Sequence, residues 1–253
     1  MSETEKQPFL SHLEELRKRL IYSAIAVGIG FLASYAFAEK LFKILMLPLN
    51  EALPEGGKFI FTSPPEVFFT YLKTAFVAGI LLASPVIFYQ IWMFIAPGLY
   101  QKEKKYVIPF VTFSTLLFLC GSLFGYFVVF PFGFQFFMKF ANDYISAFPA
   151  VKQYFSFATK LLLAFGLVFE LPVVIFFLAR MGLVTSDLLK KNRKFAVLVI
   201  FTAAAVLTPP DPLTQCLMAI PLLVLYELGI YIAKLAHKKK TPEDKEEKTE
   251  EEV

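Results

Sequence analysis

The sequence predicts an all-α, polytopic membrane protein with six transmembrane helices, the last two of them short. Three observations lead there. Of 253 residues, 57% are hydrophobic and only 18% charged, against roughly 45–50% apolar in soluble domains. The apolar residues gather in runs long enough to cross a ~30 Å hydrocarbon core at ~1.5 Å per residue. The connections between these runs are basic at every second position, the pattern by which membrane proteins fix their orientation.

The first run is Leu20 to Phe37, followed by Val67–Ile95, Val107–Phe130 and Phe155–Ala179, the last containing Lys160 and Glu170. Phe195–Leu207 is shorter, and the run after Pro212 has Glu227 inside it. The helix-breaking Thr208-Pro209-Pro210-Asp211-Pro212 makes these two a pair of short helices around a tight turn. Arg17, Lys18 and Arg19 precede the first run, and Lys102, Lys104 and Lys105 follow the second. Lys190, Lys191, Arg193 and Lys194 follow the fourth, and Lys238, Lys239 and Lys240 follow the sixth. The segments 39–66, 131–154 and 208–212 carry fewer cations, so both termini are expected in the cytoplasm. Residues 1–237 form one integral membrane domain, and 238–253, rich in Glu and Lys, are expected to be disordered. No cleavable signal peptide is expected, because a charged helical segment precedes the first run.

The net charge of +4 sits beside apolar runs, where lipid headgroups lie, and does not point to nucleic acid. Cys120 and Cys216 lie far apart in apolar runs, with no CxxC spacing, and are expected to be buried spectators. The chain has no HExxH, GxSxG or GxxxxGK[ST], and its two histidines, His12 and His237, fall outside the runs. Catalysis is therefore not expected, and neither a metal nor a cofactor is called for. Gly121-x-x-x-Gly125 suits close local packing of helices. Ser11 and Glu14 read as a capping box, and Glu15 as an i,i+4 partner of Arg19. Glu103, among three lysines, reads on composition as a solvated counter-charge. Glu170 is different: a carboxylate near mid-bilayer costs at least ~2.5 kcal/mol and faces protein or water. Pro172 removes the donor for the Val168 carbonyl and allows a kink beside it. Glu227 lies near enough to the membrane edge to snorkel or to serve function.

Taken together the motifs resemble the TatC family, the multispanning receptor of the twin-arginine protein translocase. The resemblance covers about Pro8 to Lys234. It rests on His12-Leu13-x-Glu15-Leu16-Arg17, Pro48, Ser84-Pro85 and Tyr89-Gln90-x-Trp92-x-Phe94-Ile95-Ala96-Pro97-Gly98-Leu99-Tyr100. It rests equally on Glu103, Tyr126-Phe127, Phe130-Pro131, Phe165-Gly166-x-x-Phe169-Glu170-x-Pro172 and Leu207-Thr208-Pro209-Pro210-Asp211.

The resemblance implies a concave, glove-like set of six helices in the inner (cytoplasmic) membrane, binding twin-arginine signal peptides of folded precursors. It implies single-span TatA and TatB partners, transport driven by the proton-motive force, and a homo-oligomeric receptor complex. The signal-peptide site is expected at Glu15 and Glu103, with Phe94, Leu99 and Arg17 around it. Partner helices are expected at Thr208 and Gln215, an intramembrane polar site at Glu170, and structural or functional turns at Pro48, Pro85 and Asp211. The physics suits the task, since two guanidiniums need two carboxylates able to take parallel N–H bonds. A small-molecule transporter, the rival class, predicts inverted repeats that the two sets of three runs do not show. An intramembrane enzyme lacks a nucleophile with a base.

Overall fold

The structure, a computed structural model, describes residues 3–53, 59–95, 107–140, 148–207 and 211–238, with side chains from 12 to 236. Leu99, Glu103, Thr208 and the charged tail from 239 onward lie outside the described residues. The chain forms two compact units, residues 1–166 and 167–253.

In the first unit, α1 (Glu3–Tyr35) turns through 84° into α2 (Ala38–Ala52). Then come α3 (Glu66–Ile95), α4 (Val107–Phe124), a π-helical turn (Gly125–Val129), α5 (Phe130–Met138) and α6 (Val151–Phe169), whose last three residues fall in the second unit. In the second lie α7 (Leu171–Arg180), α8 (Ser186–Lys191), α9 (Arg193–Leu207) and α10 (Pro212–Lys238). Among the described residues, four stretches are long and apolar enough to cross a membrane: 66–95, 107–138, 151–180 and 212–236. The bent pair α1 and α2 meets the same measure together. α9, with 15 residues, is the short crossing element expected from the sequence, ~22 Å of helix.

α1 and α3 pack side by side over most of their length, and glycine makes that possible. A Cβ on Gly79 would stand 2.6 Å from the Phe31 amide nitrogen, and one on Gly30 would stand 2.6 Å from the Gly79 carbonyl oxygen. Backbone meets backbone here, as in close crossings of membrane helices. Gly125 serves local packing too, since a Cβ there would lie 3.3 Å from the Phe165 ring.

Four elements differ from the sequence reading. The chain is already helical from Glu3, so Ser11 lies within α1 and no capping box starts a helix there. Residues 38–52, read as a connection, form the amphipathic helix α2, because the apolar positions Leu45, Pro48 and Leu49 recur at helical spacing and are buried. The third crossing continues past Phe130. Pro131 cannot donate to the preceding turn, and the wider π turn, closed by Phe130 N–H onto the Gly125 carbonyl, absorbs the irregularity before α5 resumes. The last helix is 27 residues rather than short. Glu227 does not stop it, because its Oε2 accepts from Arg193 Nη2 at 2.7 Å, and Tyr226 donates to the Leu189 carbonyl at 2.8 Å. Both cysteines are exposed rather than buried.

Candidate functional site

The antiparallel run of α1 against α3 brings the start of α1 to the end of α3. His12 stacks on Phe94, ring centroids 4.3 Å apart and 17° from parallel. One turn further along α1, Glu15 Oε1 accepts from Arg19 Nη2 at 3.0 Å, and Arg19 Nη1 donates to Gln90 Oε1 at 3.1 Å. The Glu15 side chain remains 32% exposed. The i,i+4 pair read from the sequence therefore forms, and it also does more, because Gln90 ties Arg19 to the neighbouring helix. A carboxylate has about four acceptor positions, so one bond to Arg19 leaves room for an incoming guanidinium. Arg17 is exposed, on a different face of α1.

The undescribed segment that carries Leu99 and Glu103 leaves from Ile95 and returns at Val107. The two helices that flank it are tied together. Trp92 donates to Ser114 Oγ at 3.2 Å and stacks on Phe110 at 4.8 Å, holding the end of α3 to the start of α4.

Hydroxyls satisfy the carbonyls that Pro85 and Pro48 leave without helical donors. Pro85 offers no N–H to the Leu81 carbonyl, and Ser84 Oγ donates to it instead at 2.7 Å. Pro48 lies inside α2 and not in an open connection; it leaves the Ile44 carbonyl without its helical donor, and Tyr126 Oη supplies one at 2.6 Å. Tyr154 donates to the next carbonyl, that of Leu45. Tyr126→Phe is expected to cost about 1 kcal/mol, the usual net worth of such a bond. In a Pro48→Ala background the restored amide occupies the Ile44 carbonyl, and the same change should then cost close to nothing. Unfolding of the four proteins in detergent measures the difference; equal costs in both backgrounds would remove the link.

At the same end of the first unit sits Glu66, which the sequence reading passed over. It is 3% exposed and accepts from the Thr62 amide at 2.7 Å, Thr62 Oγ1 at 2.8 Å and the Lys152 amide at 2.7 Å. A parallel bridge between Ile60 and Ala150 runs beside it. The available signal was Ser63-Pro64-Pro65-Glu66, a turn followed by an acid in a first helical turn.

In the second unit, Glu170 is buried, at 8% exposure, and occupies the break between α6 and α7. Its amide reaches back only three residues, to the Leu167 carbonyl at 3.1 Å, and its carbonyl takes the Val174 amide at 3.0 Å. Pro172 in the first turn of α7 accounts for the break. Arg180 ends the segment about ten residues later, so Glu170 lies ~15 Å of helix from that end. Asp211 starts α10: Oδ1 accepts the Thr214 amide at 2.8 Å and Oδ2 takes the Thr214 hydroxyl, a side-chain cap worth ~1 kcal/mol. Gln215 is half-buried, and its Nε2 donates to the Phe201 carbonyl at 3.0 Å. That bond braces α10 on α9 and uses one of the two N–H donors of the Gln215 amide.

This is a multi-pass α-helical membrane protein with an acid, an arginine and an aromatic gathered where its first and third helices meet. The family described as Sec-independent protein translocase protein (TatC) matches residues 11–221. The TatC of Desulforapulum autotrophicum is 57% identical over 244 residues, 96% of this chain and 90% of that protein. The TatC of Escherichia coli K12 is 40% identical over 234 residues, 92% of this chain and 91% of its own length. A crystal structure of the twin-arginine translocase receptor TatC superposes with a TM-score of 0.81 at 43% identity, covering 89% of this chain and 99% of that one. The chain belongs to the TatC family of Sec-independent protein translocase proteins.

Proposed function

We propose that this chain is the receptor and core subunit of a twin-arginine translocase of the inner membrane, with both termini in the cytoplasm. It takes the paired arginines of a signal peptide on Glu15 and Glu103 and organises TatA- and TatB-type subunits for export of folded precursors driven by the proton-motive force. The observation that supports this is the Glu15 carboxylate. It is braced through Arg19 and Gln90, partly exposed, and one helical turn from the His12–Phe94 stack. A braced acceptor loses little freedom when a guanidinium arrives, and the aromatic pair offers apolar surface for residues that follow the arginines.

Signal peptide carrying a photo-crosslinker beside its arginines tests the site and its sidedness together. Added to vesicles that expose the cytoplasmic face, it should form adducts on α1 around His12 and Glu15 and on the 95–107 segment, and TatA- and TatB-type subunits should co-purify with the adduct. Vesicles of the opposite orientation should give none. Adducts only on α9 or α10, or only from the opposite face, would refute the assignment.

A further inference from the structure

We propose that the face shared by α3 and α6 binds an anionic phospholipid, whose phosphate sits between Lys73 and Lys160. Both lysines are exposed and lie inside apolar membrane-crossing helices. Lys73 Nζ donates to Ser156 Oγ at 3.4 Å, so the two helices are adjacent at this level. Lys160 follows Ser156 by one helical turn, ~5–6 Å away on the same face. Gln153, three residues before Ser156, completes a polar stripe on α6, while the opposite face buries Tyr154, Phe155, Ala158 and Leu161. On α3 the residues one turn either side of Lys73 are Phe69 and Phe76, 56% and 49% exposed. Two ammonium groups thus stand on a surface otherwise made for acyl chains.

Their depth follows from the geometry at the helix ends. The Lys152 amide is bonded to Glu66, so the starts of α3 and α6 lie at one level. Seven residues separate Glu66 from Lys73, and nine separate Val151 from Lys160. These are ~10 and ~13 Å of helix, which places both side chains in one leaflet within reach of its headgroups. Among the described residues neither lysine is in an ion pair, and the carboxylate of α3, Glu66, is occupied by Thr62 and Lys152. A cation at such depth is costly unless it reaches the interface or meets an anion. A phosphate has enough acceptor oxygens for two ammoniums, and lipid already covers any part of this face that protein does not. An anionic headgroup is preferred because a zwitterionic one brings its own cation to the same phosphate.

The full chain, reconstituted in nanodiscs of phosphatidylcholine with or without phosphatidylglycerol, tests the site through lipid retained after washing and through the unfolding temperature. Wild type should retain phosphatidylglycerol and unfold at a higher temperature when it is present. Lys73→Gln with Lys160→Gln should lower retention by roughly five-fold for each lysine removed and abolish the thermal shift. Lys73→Arg with Lys160→Arg should keep both. Equal behaviour of wild type in the two lipids, or unchanged retention in the double Gln variant, would overturn the proposal. So would an equal thermal shift from inorganic phosphate, which would assign the lysines to a soluble anion. Unchanged lipid retention with loss of a co-purifying subunit would assign them to an acidic helix and overturn it as well.

Discussion

Glu15→Gln is expected to weaken binding of a twin-arginine peptide roughly 10- to 100-fold, since one charge-assisted bond of a guanidinium is worth ~1.5–3 kcal/mol. Combining it with Glu103→Gln should remove nearly all specific affinity. The double change need not equal the sum of the single ones, because the two carboxylates are proposed to hold adjacent arginines and would then act as a unit. The structure adds a third arm. Arg19 donates to both Glu15 and Gln90, so Arg19→Gln leaves the acceptor in place and removes its brace. That variant should lose affinity, though less than Glu15→Gln. Lysine in place of either peptide arginine should weaken binding to wild type, since it lacks the planar fork. That penalty should shrink when Glu15 is already Gln. Titration of a labelled peptide against detergent-solubilised protein measures all of these; wild-type affinity in the Glu15→Gln, Glu103→Gln protein would remove both residues from the site.

The part of this architecture that was legible in the sequence is the part set by composition over long windows. Apolar runs of about twenty residues cannot be anything but crossings, and Phe195–Leu207 is too short a run to hide its length. Glu15 and Arg19 were legible because helical spacing alone makes them neighbours. What escaped detection depends on pairing between distant segments. Residues 38–52 contain Glu39, Lys40, Lys43 and Asn50 among apolar positions, and nothing local distinguishes a connection from a helix that buries one face on α3 and α5. The roles of Tyr126 and Tyr154 as donors to carbonyls of α2 span 82 and 109 residues of chain. Glu66 is an acid in the first turn of a helix, and its burial depends on the Lys152 amide, 86 residues away. The length of α10 rests on a distant pair in the same way. Glu227 looked like the end of an apolar run, but its partner Arg193 lies 34 residues earlier.

Gly79→Leu is expected to be among the most damaging single changes in the chain, although Gly79 touches no residue of the His12, Glu15 and Arg19 cluster. The Cβ alone would meet the Phe31 amide nitrogen at 2.6 Å, its Cα at 2.8 Å and the Gly30 carbonyl carbon at 2.9 Å. These are backbone atoms of a packed helix, so no rotamer change relieves the contact and α1 must move away from α3. Overpacking of this kind costs ~1–3 kcal/mol where flexible side chains give way, and a backbone that cannot give way puts Gly79→Leu at the upper end of that range. Gly30→Ala should be damaging in the same way, because its Cβ would meet the Gly79 carbonyl oxygen. Gly28→Ala is the control. Nothing lies within 4 Å of a Cβ there, and alanine in a helix is worth up to ~1 kcal/mol over glycine, so that variant should be neutral or slightly more stable. The functional consequence follows from what else the α1–α3 contact carries. The Arg19–Gln90 bond and the His12–Phe94 stack both bridge these two helices, and separating the helices loosens the brace on Glu15. Gly79→Leu should therefore lower both the unfolding temperature and peptide affinity, while Gly28→Ala lowers neither. A Gly79→Leu protein as stable as wild type would mean that α1 and α3 do not meet backbone to backbone, and a destabilised one with full peptide affinity would separate the proposed recognition site from this crossing.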